Sequence, residues 1–116
     1  MATDTLNLPA DLRAALDQAV AAIVKIAHPQ LIILFGSWAE GTAREDSDVD
    51  LLVVAETNNW DTTALALHRI LRPLLGRREF DLLLYSPEEW HEGRRLIGFV
   101  SREADQQGVR LYDRAA

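Results

Sequence analysis

The sequence predicts a mixed α/β domain in which a sheet is flanked by helices. Three observations predict it. Apolar residues recur at helical spacing over long segments, while other segments are short, nearly continuous apolar runs of strand length. Glycine, proline and capping residues punctuate the junctions between them. The resulting order is helix–strand, strand–helix, strand–helix and a final strand.

Each element can be justified in turn. From Leu8 to Ala27, residues Leu12, Ala15, Leu16, Ala19, Val20, Ile23 and Ala27 share one helical face. Pro9 suits a first helical position, and His28-Pro29 ends the run. Leu31 to Phe35 is continuously apolar, as expected of a strand buried on both faces. From Gly36 to Ser47 the chain turns polar, and Val49 to Val54 reads as a second strand. Asn58, Asn59 and Asp61 are candidate caps for a helix with Leu67, Ile70, Leu71 and Leu74 on one face. Pro73 is expected to kink or end that helix, and Gly76 to close the connection.

Phe80 to Tyr85 forms a third candidate strand. Ser86-Pro87-Glu88-Glu89 then supplies an N-cap, a proline at N1 and a glutamate at N3, the capping-box pattern. Gly93 and Gly98 each weaken the helix that follows by about 1 kcal/mol relative to alanine. Gly108 stops a last helical stretch, and Val109 to Tyr112 reads as a short terminal strand.

A length of 116 residues predicts one domain over 1–116, with one ordinary core. With no cysteines, neither disulfides nor thiolate metal sites are available. The opening Met1-Ala2-Thr3-Asp4 lacks the basic region and apolar stretch of a secretory signal. No apolar run reaches the ~18 residues that cross a bilayer. The expectation is a cytoplasmic protein that engages no membrane. Twelve basic against eighteen acidic residues leave a formal charge of −6. That balance argues against direct nucleic-acid binding, which needs a basic surface. A polyphosphate ligand would require divalent cations to offset the repulsion.

Three strand-associated aspartates carry the chemical signal: Asp48, Asp50 and Asp81. Residues two apart on a strand point to the same face, so Asp48 and Asp50 project together. Asp81 shares a face with Leu83 and Tyr85, and adjacency of the two strands would let the three carboxylates converge. Such a cluster is costly, because like charges repel and raise one another's pKa. Mg²⁺ offsets the cost, and two such ions about 3.5–4 Å apart clamp an in-line phosphoryl displacement. Gly36-Ser37 complements the cluster. A glycine after a buried strand lets backbone N–H groups approach a phosphate, and Ser37 adds a hydroxyl donor.

The segment Gly36-Ser37-Trp38-Ala39-Glu40-Gly41-Thr42-Ala43-Arg44-Glu45-Asp46-Ser47-Asp48-Val49-Asp50 resembles the G-S-x10-D-x-D signature of the polymerase-β-like nucleotidyltransferase superfamily. The short chain resembles its minimal branch. The resemblance implies a mixed β-sheet flanked by α-helices, with Asp48, Asp50 and Asp81 as catalytic, metal-binding carboxylates. It implies that Gly36 and Ser37 contact the triphosphate, and that the third carboxylate helps deprotonate an acceptor hydroxyl. It further implies two Mg²⁺ ions, ATP as substrate, and transfer of AMP with release of pyrophosphate. Minimal members are often antitoxins of a HEPN-type ribonuclease toxin, whose tyrosine would be the acceptor. A homodimer or a hetero-oligomer with the toxin is compatible with this. Members commonly carry arginine where this chain has Glu40, which makes the surroundings of the phosphates more negative here.

Two other functions fit the same residues. One is a non-catalytic antitoxin that neutralises its toxin by binding. The other is a small-molecule adenylyltransferase acting on an antibiotic hydroxyl. The plain alternative for Asp81 is an edge-strand ion pair with Arg77 or Arg78, and for Trp38 it is packing over the turn. Arg94-Arg95 is read as an exposed helix face, with an acidic partner as the alternative. The three histidines lack metal-ligand spacing.

Overall fold

Leu12, Leu16, Ala19 and Ile23 return every three or four residues, and a helix is the backbone form that gathers them into one stripe. In the computed structural model, which describes residues 6–115, that stripe is buried along helix α1, Ala10–Ala27. The opening Met1-Ala2-Thr3-Asp4 lies outside the described residues. Pro9 is the N-cap rather than the first helical residue, and His28 closes the helix in the left-handed conformation. The chain continues through β1 (Leu31–Phe35), a one-turn helix α2 (Ser37–Glu40) and β2 (Val49–Val54). Then come α3 (Trp60–Leu75), β3 (Phe80–Tyr85), α4 (Pro87–Gly93), α5 (Val100–Gln107) and β4 (Val109–Asp113).

The four strands form one mixed sheet in the order β3-β2-β1-β4. β1 is antiparallel to both of its neighbours, and β2 runs parallel to β3. As its unbroken apolar character predicts, β1 is central and covered on both faces. One face carries Ile32, Leu34, Val49, Leu51 and Val53 against α1 and α3. The other carries Ile33, Leu52 and Val54 against Trp90 of α4 and Ala104 of α5. The mixed sheet with helices is the architecture expected from the sequence. Among the described residues no helix is long and apolar enough to cross a membrane.

The corrections are local. α3 buries Leu67, Leu71 and Leu75, whereas Ile70 faces solvent, because a four-residue step carries the stripe more directly along this helix. Pro73 does not end α3, which runs on to Leu75, and it is exposed outside the buried stripe. The segment after Ser86 is two helices rather than one. The capping box is present, with Ser86 accepting from the Glu89 amide at 3.1 Å and Glu89 from the Ser86 amide at 2.9 Å. α4 nevertheless stops at Gly93, whose bare Cα packs against Ser101 of α5. Gly98, at φ +90, then turns the chain into α5.

Candidate active site

Pairing of β2 with β3 determines how the acidic residues meet. Their register runs from Val49 opposite Phe80 to Val54 opposite Tyr85, which places Asp50 directly opposite Asp81. Asp50 lies on the sheet face of Leu52 and Val54, and Asp81 on that of Leu83 and Tyr85, both under α4 and α5. Asp48 stands just before β2, exposed, two residues from Asp50.

The electrostatics follow from this proximity. Asp50 is half-buried, and its pKa is pushed up to about 6. Partial burial is the first cause, followed by the charge of Asp81 and the hydrogen bond between the two carboxyl groups. Asp48 and Glu103 add smaller repulsions. Asp81 is not tied up by the neighbouring arginines. Arg78 instead reaches Asp11 at 3.0 Å, and Arg72 lies 3.6 Å from Glu79.

Gly36 holds the other side of the site. Phe35 is the register partner of Asp50, so the chain leaves β1 immediately beside that carboxylate. Gly36 has φ +73, and an added Cβ would overlap the Asp50 Oδ2 atom. Its carbonyl accepts from the amides of Ala39 and Glu40, at 3.1 and 3.0 Å, which starts α2 at Ser37. The loop between α2 and β2 is tied back to this turn. The buried Trp38 donates its indole Nε1–H to the Ser47 carbonyl at 3.0 Å. Ser47 Oγ accepts from the Arg44 amide at 2.8 Å. Trp38 is thus a packing residue that fixes the approach to Asp48.

Asp50, Asp81 and Gly36 line an open cleft of about 470 Å³ along the β3 edge of the sheet. Glu103, Val100 and His68 also line it, and none of them was singled out as a site residue from the sequence. Glu103 lies 53 positions beyond Asp50 on another helix, so no local spacing connects them. His68 of α3 stacks near Phe80, ring centroids 5.3 Å apart. A larger cavity of about 570 Å³, between α1 and the α3–β3 turn, touches none of the three aspartates. Among the described residues no three histidine, aspartate or glutamate side chains are already gathered as an ion cage. The preformed element is the Asp50–Asp81 pair, an acidic couple whose mutual repulsion a divalent cation would relieve.

Carboxylates paired across parallel strands, facing a glycine turn in an open cleft, fit one class: a nucleotidyltransferase-type fold. The chain belongs to the polymerase beta nucleotidyltransferase family, whose sequence profile matches residues 18–115. A Methanocaldococcus jannaschii protein, provisionally named a protein adenylyltransferase, is 52% identical over 44 residues. That stretch is 38% of this chain and 29% of the relative, so the chain matches under a third of that protein's length. In structure the chain is similar to a provisionally assigned nucleotidyltransferase from Sulfolobus solfataricus. The TM-score is 0.60 at 18% identity, over 90% of this chain and 85% of the other. It is also similar to a chain of a toxin–antitoxin complex solved with AMP-PNP. There the TM-score is 0.59 at 25% identity, over 84% of this chain and 73% of that one.

Proposed function

We propose that this protein transfers AMP from ATP to a hydroxyl group of a partner protein, and that it acts as an antitoxin by modifying its toxin in the cytoplasm. The observation that carries the reading is the Asp50–Asp81 pair set against the bare Cα of Gly36. Family membership supports nucleotidyl transfer, and the named relative and the toxin–antitoxin neighbour support a protein acceptor. The resemblance to minimal nucleotidyltransferases points further, to a tyrosine of a HEPN-type toxin.

In this reading Asp48, Asp50 and Asp81 would hold two Mg²⁺ ions, whose charge would offset that of the triphosphate. The turn at Gly36 offers backbone N–H groups and the Ser37 hydroxyl to the β- and γ-phosphates. The acceptor oxygen forms a bond to the α-phosphorus as the bond to the bridging oxygen breaks, and pyrophosphate leaves. Asp81, on the exposed edge strand, faces the incoming acceptor and takes up its proton. The open cleft admits a side chain carried on another protein.

The test is radiolabelled ATP with Mg²⁺ and the product of the neighbouring reading frame, followed by mass spectrometry of that protein. Label should appear on a hydroxyl side chain, and Asp48→Asn and Asp50→Asn should each abolish it while circular dichroism stays unchanged. Comparable turnover by either variant would refute the assigned roles. A second reading, a non-catalytic antitoxin, draws on Glu40, which is exposed at the end of α2, at the position where the family resemblance implies arginine. Calorimetric titration with Mg-ATP separates the two, because a pure binding module yields no nucleotide heat.

A further inference from the structure

We propose that the turn between α4 and α5 is the surface on which the protein acceptor docks, aligning its hydroxyl with the Asp50–Asp81 pair. This rests on the reading that the acceptor is a protein. The turn exposes Leu96, Ile97, Phe99 and Val100 together, with Ile97 86% and Phe99 55% accessible. Clustered apolar side chains left in water on a small domain mark an interaction surface, whereas scattered ones do not.

The turn is also preorganised. Leu96 donates its amide to the Gly93 carbonyl at 3.1 Å, Phe99 to Leu96 at 3.2 Å, and Arg102 to Phe99 at 3.1 Å. Gly93 packs against Ser101, so the apolar residues are held outward by structure behind them. A surface already in its bound shape loses less entropy on association.

Two features identify the occupant. The first is continuity with the cleft. Val100 belongs to the apolar turn and also lines the carboxylate cleft, and Glu103, one helical turn further on, lines the cleft and repels Asp50. An object seated on the turn therefore borders the reacting groups. The second is charge. In a chain of net charge −6, the arginines 94, 95 and 102 gather at this turn, and none forms an ion pair among the described residues. Arg94 lies only over the Trp90 ring, at 6.0 Å. Glu89 and Glu92 line a groove of about 240 Å³ together with Leu96 and Phe99, so the apolar turn also borders carboxylates of this chain. The partner that fits is a protein with an apolar patch flanked by carboxylates opposite these arginines, and with a hydroxyl side chain within reach of Val100.

The experiment uses the full chain with the product of the neighbouring reading frame. One variant combines Ile97→Asp with Phe99→Asp, and a second combines Arg95→Glu with Arg102→Glu. Both change exposed or half-exposed side chains, and unchanged thermal unfolding shows that they fold. Each should raise KM for the acceptor protein by at least about ten-fold, the loss typical of removed interface anchors. The kcat at saturating acceptor and the affinity for Mg-ATP should stay within about two-fold. An unchanged acceptor KM overturns the docking surface while leaving AMP transfer standing. Lost Mg-ATP affinity also overturns it, by assigning the turn to the nucleotide site. A variant that only converts a dimer to a monomer in sedimentation, with the same acceptor KM, assigns the turn to self-association instead. If the wild-type protein transfers no AMP, the parent reading fails, and complex formation on a sizing column decides the docking surface. Persistence of the complex in the Ile97/Phe99 variant then overturns it.

Discussion

The carboxylate of Asp50 rests against the bare Cα of Gly36, in the space that any other side chain would claim with its Cβ. The contact follows from the sheet, because Phe35 and Asp50 are register partners across β1 and β2. One residue later the chain turns out of β1 at positive φ, a conformation glycine adopts without strain. The Gly36 turn and the acidic pair are therefore one mechanical unit.

Gly36→Ala combines positive-φ strain with an overlap on Asp50 Oδ2. It should destabilise the protein by roughly 1–3 kcal/mol in urea unfolding. Displacing Asp50 by even ~1 Å should cost on the order of a hundred-fold in AMP transfer. Wild-type values in both measurements would show that the turn and the carboxylate are independent.

Asp50 also makes stability depend on pH. Its folded-state pKa of about 6 lies above the ordinary 3.8, so the folded protein takes up this proton before the unfolded chain does. The site therefore opposes folding above about pH 6, and the penalty fades as pH falls toward 4. Asp50→Asn removes it. In metal-free buffer at pH 7.5 the variant should melt a few degrees above wild type. The gap should close as the pH is lowered through 6 and should narrow when Mg²⁺ is added to the wild type. A gap that widens in acid would contradict the assignment.

Trp38→Phe keeps a ring in the core but deletes the 3.0 Å hydrogen bond to the Ser47 carbonyl. The loss should be about 1 kcal/mol, with faster amide exchange across residues 42–48. AMP transfer should fall as well, because the loop delivers Asp48. Unchanged exchange there would remove the indole from this role.

Ser86→Ala breaks the capping box of α4 and should cost about 1 kcal/mol in thermal or urea unfolding. The helix carries Trp90 into the core on the sheet face shared by the acidic pair. Because Ser86 touches neither carboxylate, kcat at saturating Mg-ATP should hold. A loss of kcat without a loss of stability would mean that α4 has a direct part in the reaction.

Much of this molecule was legible before its fold was known. Strands Leu31–Phe35, Val49–Val54 and Phe80–Tyr85 were read with the limits they have, because short apolar runs between glycine, proline and polar residues have few other solutions. The capping box was legible for the same local reason. Ile70 misled because its spacing fits a helical stripe nearly as well as that of Leu71, and only packing against α1 chooses between them. The break between α4 and α5 was foreshadowed by two glycines, but it takes the contact of Gly93 with Ser101 to make it a turn.

The sequence by itself determined the alternation of elements, the strand that carries Asp50, and the glycine turn ahead of it. These are consequences of periodicity and of local backbone chemistry, which act over a few residues. Only the tertiary structure decided that β3 lies parallel beside β2 with Asp81 opposite Asp50, that Glu103 closes in from α5, and that an apolar turn stands at the cleft's edge. Those relations join residues tens of positions apart. They are set by the burial of whole faces of the sheet, a cooperative quantity that no short stretch of chain encodes.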